Sequence, residues 1–157
     1  MLRRLTYWLP AIGMAILISG FSTEYFSGEH TSRIILPALR WLFPSATPDT
    51  LLLLHFGIRK AAHITEFGFF SIAVFRGIRG ERQGWRPEWA LIALFMAAGY
   101  AGLDEWHQSF VPMREARFRD VLIDSTGAVL AQALAWGYLK FHRNSLRSLE
   151  LNEKASS

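Results

Sequence analysis

A chain of 157 residues is the length of one ordinary domain, and 51% hydrophobic with 14% aromatic residues is rich for a soluble protein of that size. With no cysteine, disulfides, thiolate nucleophiles and Cys-ligated zinc or iron–sulfur sites are excluded, while His and carboxylate metal sites stay open. The net charge of +4 comes without a recognition motif or a basic solvated face, so no nucleic-acid partner is expected.

In chain order, residues 7–21 (YWLPAIGMAILISGF) form an apolar run behind Arg3 and Arg4. A secretory signal peptide competes with a membrane helix here, but no small-residue cleavage site follows, so the run is kept as a span. The long segment 22–50 includes RIILPALRWLFP (33–44), which suits a short interfacial helix, with Arg33 and Arg40 reaching lipid phosphates, and equally a loop with an aromatic anchor. Three further apolar runs follow at 51–75, 88–103 and 121–139. The expected fold is all-α, a polytopic membrane protein with four transmembrane helices at about 5–22, 52–76, 87–106 and 120–140. They make one domain, 1–143, followed by a solvated, frayed tail, 144–157.

Each run is near or below the roughly 18 apolar residues of a perpendicular span, so a soluble helical bundle is the competing architecture. Charge sorting favours the membrane. Arg3 and Arg4 precede the first run, Arg76, Arg79, Arg82 and Arg86 lie between the second and third, and Lys140, Arg143, Arg147 and Lys154 follow the fourth. The positive-inside rule then puts both termini in the cytoplasm of a bacterial inner-membrane protein and accounts for the basic balance. Arg114, Arg117 and Arg119, in the second outer loop, break the pattern.

Polar residues gather at the outer level of three spans. In the second, Arg59, His63 and Glu66 share one helical face, with Lys60 beside His63. At the end of the third come Asp104, Glu105, His107 and Gln108, of which Asp104, His107 and Gln108 are related by i+3 and i+4 spacing. The fourth begins with Asp120 and Asp124 on one face, which Gly127 and Ala131 continue, allowing close helix approach. Ionisable groups facing lipid are costly, so these should turn inward, pair and form a pocket that opens outward.

RKAAHITEFG (59–68), DEWHQSFVP (104–112), Arg114 and RDVLIDSTGA (119–128) together resemble the VanZ-like family of small bacterial membrane proteins. The resemblance covers the second half of the second helix through the fourth; the first span and first outer loop match in hydropathy alone. Its motif falls on Lys60, His63, Glu66, Asp104, Glu105, His107, Gln108, Arg114, Asp120 and Asp124. It implies an integral membrane protein of a few helices, the named member being associated with low-level resistance to teicoplanin-type glycopeptides. The turn departs from the family form: Met113 stands where Gly is usual, and Ala116-Arg117 where Gly-Ser is common.

Several chemistries compete for the cluster. In a binding role, Arg59, Lys60 and Arg114 hold an anionic envelope lipid or lipid-linked cell-wall precursor while the carboxylates fix the cations. An enzyme acting on a lipid-linked phosphate or ester would use His107 or His63 as general base, with Asp104 or Glu66 orienting it, but Ser109 and Ser125 are the only nearby serines and no nucleophile elbow is present. A metal site on His63, Glu66, Asp104 and His107 suits zinc, iron or manganese but is opposed by Arg59 and Lys60, so no metal or other cofactor is expected. A purely structural charge network is the remaining reading. His30, His55 and His142 read as loop or interfacial residues.

Overall fold

Local chemistry sets the helix boundaries in the computed structural model, which describes residues 2–111 and 117–156, with side chains for 3–111 and 117–142. The elements are α1 (Leu2–Phe21), a 3₁₀ turn (Glu24–Phe26), α2 (Gly28–Leu42), α3 (Pro48–Arg79), α4 (Pro87–Gln108) and α5 (Phe118–Ser156). No strand occurs among the described residues. Thr47 caps α3 by accepting from the Thr50 amide, and Pro48 and Asp49 occupy its first turn. Gly80, at φ +58°, ends α3, a backbone conformation that side-chain-bearing residues rarely adopt. Pro87 and Glu88 open α4.

Helices α1, α3, α4 and α5 fall on the four apolar runs. The segment left open between interfacial helix and loop is helical and longer than RIILPALRWLFP, because Ser27 caps it early by accepting from the His30 amide. The backbone of α5 continues through Ser156, so the expected tail extends the last helix.

Small residues bring the helices together. Ala90, Ala93, Ala97 and Ala101 form a buried stripe on α4, while Gly77 on α3 receives the Trp8 indole of α1. Gly127 on α5 packs directly on the α3 backbone at Ile64, and a Cβ on Gly68 would lie 3.3 Å from the Gly127 carbonyl oxygen. Phe67, Phe70, Val74, Phe75 and Trp89 fill the core. Two polar contacts stitch it: Tyr100 donates to the Ala15 carbonyl at 2.8 Å, and the Gln132 amide donates to Ser71 Oγ at 2.9 Å.

Besides its apolar core, the bundle buries several charged or polar side chains and exposes many large apolar ones. Asp124 is completely buried, whereas Phe95 is 77% and Leu134 75% exposed, alongside exposed Leu9, Ile16, Leu53 and Phe69. Among the described helices, Arg3–Phe21 is long and apolar enough to cross a membrane by length and composition. Charged residues within α3, α4 and α5 lower the hydropathy of the others.

Candidate functional site

The C-terminal ends of α1 and α4 lie beside Arg59 and His63 of α3, and the first turns of α3, from Pro48, extend beyond them. Helix α2 folds along that extension, so the polar face of α3 is enclosed by α2, α4 and the start of α5. A cavity of about 650 Å³ opens there, lined by Arg59, Lys60, His63, Arg117, Arg119 and Asp120, with Phe56, Leu122 and Ile123 as an apolar flank.

Two acid–base pairs join α3 to α5 across it. Lys60 Nζ lies 2.6 Å from Asp120 Oδ1, both about one-fifth exposed, and also sits over the Phe56 ring. One helical turn deeper, His63 Nδ1 is 3.3 Å from Asp124 Oδ1, in contact but not aligned as a hydrogen bond. Neither Asp124 oxygen has a hydrogen-bond donor among the described residues.

The end of α4 forms the back wall. Asp104 accepts from Ser22 Oγ at 2.5 Å and from Gln108 Nε2 at 2.7 Å; Gln108 also donates to Ser22 at 3.2 Å. The neighbouring Glu105 accepts from the Arg117 amide at 2.9 Å, tying the start of α5 to α4. A smaller lobe of about 180 Å³ adjoins Arg59 and His63 and is bounded by Ser22, Thr31, Ile58 and Glu66.

Of the residues singled out from sequence, Arg59, Lys60, His63, Gln108 and Asp120 line the main cavity and Glu66 the smaller lobe. Asp104, Glu105 and Asp124 lie buried against it. His107 does not join them: it is exposed, pointing away on the same side as Trp106. The i+3 relation to Asp104 does not make a pair, because the Asp104 carboxylate is directed to Ser22 and Gln108. Arg114, with Met113 and Ala116 of the divergent turn, lies outside the described residues.

Three participants escaped the sequence reading. His55 is buried, its Nε2 3.3 Å from Thr31 Oγ1, joining α3 to α2 rather than lying at an interface; its i−4 position on the face of Arg59 was the available signal. Gly28 lets the Arg59 guanidinium approach the first turn of α2 closely, while Arg117 and Arg119, which broke the charge pattern in the sequence, line the cavity. Ser22 carried no signal, since its partners lie more than 80 residues away.

The chemistry available is electrostatic more than nucleophilic. Ser109 Oγ donates to the Trp106 carbonyl and Ser125 Oγ to that of Val121, so both hydroxyls are engaged within their own chain turns. Among the described residues no group of three or more His, Asp or Glu side chains is placed to hold a metal ion. The cations around an open cavity suit an anion.

The family described as VanZ/LLP1 matches residues 6–140, a range that includes the motif run along α3, α4 and α5. The chain belongs to the VanZ/LLP1 family. No curated protein and no solved structure matches it. The VanZ/LLP1 match includes α1 and α2 as well as the polar helices, so the family extends over the whole enclosure of the cavity.

Proposed function

We propose that this VanZ/LLP1 protein is a four-span protein of the bacterial inner membrane, both termini cytoplasmic, whose outward pocket binds an anionic envelope-lipid headgroup or lipid-linked phosphate. Through that ligand it modulates the cell envelope and, with it, susceptibility to teicoplanin-type glycopeptides. The observation that carries this reading is the cavity wall itself: Arg59, Lys60, Arg117 and Arg119 surround it with, among the described residues, one lining carboxylate, Asp120, which holds Lys60 in place. The apolar flank of Phe56, Leu122 and Ile123 suits the first methylenes below a headgroup. Exposed Leu, Ile and Phe side chains around all four long helices support immersion in lipid.

Native mass spectrometry of the detergent-purified full chain tests it. Wild type is expected to retain a phosphate-bearing lipid, Arg119→Ala and Lys60→Met to lose it, and Asp120→Asn to keep it, since that change removes negative charge from the wall. Loss of an acid–base group essential to catalysis would instead abolish turnover in Asp120→Asn while lipid stays bound. The Lys60–Asp120 and His63–Asp124 pairs favour a second reading, a structural charge network without ligand; equal lipid content in every variant, with altered stability alone, would select it.

A further inference from the structure

At the opposite end of the bundle, a second cavity of about 830 Å³ opens between the start of α1, the α3–α4 turn and α5. Arg79, Trp85, Trp136 and Lys140 are among its walls. A further cavity of about 810 Å³ shares Arg79 with it and reaches Arg3 and Arg4. Helix α1 can come this close because Gly77 accommodates the Trp8 ring.

The charges here are unequally committed. Glu81, the carboxylate in both walls, faces Arg3 at 3.7 Å. Arg82 caps α3 by donating to the Ile78 and Arg79 carbonyls, and its guanidinium covers the Trp89 ring at 4.4 Å. Arg79 has no acidic partner among the described residues, and its Nε is buried without an acceptor. Trp85 Nε1 is likewise buried without one, although its ring packs edge-on to Trp136. Lys140 lies 4.8 Å over that same Trp136 ring, at the cavity rim. Two buried donors lacking acceptors among the described residues, on side chains that line one basic cavity, are an exception to the rule that buried N–H groups are satisfied.

We propose that this cavity is a second, separate phosphate site, in which a bound phosphate draws the Arg79 and Trp85 side chains round to donate to its oxygens and Lys140 completes the neutralisation. An anionic phospholipid of the adjoining leaflet supplies the phosphate. Indole and guanidinium groups at headgroup depth, beside a basic inter-helix cavity, are the chemistry that recognises such headgroups. The site depends on the membrane reading for its ligand source, but not on occupancy of the outward pocket.

The experiment uses the full chain carrying Lys60→Met and Arg119→Ala, which disables the outward pocket, so that remaining binding reports this cavity. Short-chain phosphatidylglycerol, phosphatidylcholine and inorganic phosphate are titrated in turn and followed by native mass spectrometry. Phosphatidylglycerol is expected to bind best, with Arg79→Gln and Trp85→Phe each weakening it about tenfold, the loss of one charge-assisted hydrogen bond. Trp85→Phe keeps the ring packing, so it decides the matter if Arg79→Gln unfolds. Inorganic phosphate binding with the same variant dependence would keep the site and assign a soluble source. Phosphatidylglycerol binding unchanged by Trp85→Phe and Arg79→Gln, or absent from the parent, would overturn it. Failure of the outward-pocket reading shows separately, as equal lipid content in wild type and the Lys60→Met, Arg119→Ala parent.

Discussion

Replacing Gly127 with alanine adds one methyl where α5 rests on α3. That methyl would stand 2.8 Å from the Ile64 carbonyl carbon and 2.9 Å from its Cα, and closer still to its oxygen. Comfortable carbon contacts begin near 3.5 Å, and a helix backbone cannot yield as a flexible side chain does, so the helices must part by about 1 Å. Overpacking of this kind costs about 2 kcal/mol, within the ~1–3 kcal/mol range for small-to-large core changes. Gly68→Ala, at the same crossing, would meet the Gly127 carbonyl oxygen at 3.3 Å, which a shift of a few tenths of an ångström relieves, for less than about 1 kcal/mol. Equilibrium unfolding in mixed detergent micelles should therefore rank wild type above Gly68→Ala above Gly127→Ala. Because Lys60–Asp120 and His63–Asp124 bridge these two helices beside the crossing, lipid retention should fall in Gly127→Ala as well. A Gly127→Ala protein as stable as wild type, or a Gly68→Ala protein less stable than Gly127→Ala, would refute the close-approach reasoning.

Ser22→Ala removes both the 2.5 Å donor to Asp104 and an acceptor for Gln108, and should cost about 1–3 kcal/mol in the same unfolding assay. His63→Phe deprives buried Asp124 of its contact and should destabilise by roughly 3 kcal/mol, with much of that recovered in the His63→Phe, Asp124→Leu double variant; additive losses would contradict a direct pairing. The chain contains no cysteine, so single substitutions report topology cleanly. With a membrane-impermeant maleimide on intact spheroplasts, Ser109→Cys should label and Gln83→Cys should label only after lysis; the reverse pattern would invert the proposed orientation.

Helical phase made a large part of the site legible in advance. Arg59, His63 and Glu66 lie within one narrow face at 100° per residue, and Asp120 and Asp124 within another, so their convergence needed no coordinates. The start of α4 could have given more: its alanine stripe at Ala90, Ala93, Ala97 and Ala101 continues in phase to Asp104, Glu105 and Gln108 and passes beside His107. Spacing relative to Asp104 and the resemblance to the family motif chose His107; the stripe places it on the exposed side of the helix.

What the sequence by itself determined is therefore the all-helical class and the helix faces that carry the polar cluster, because these follow from composition and a 3.6-residue period within each segment. Tertiary structure alone decided who pairs with whom. Asp104 turns to Ser22 across more than 80 residues, Arg59 nestles against Gly28, and Asp120 takes Lys60 while Asp124 meets His63. Those choices depend on how closely the helices approach and at what height they cross, and that is set by a few absent side chains, Gly68, Gly77 and Gly127, whose effect exists only once two helices are in contact.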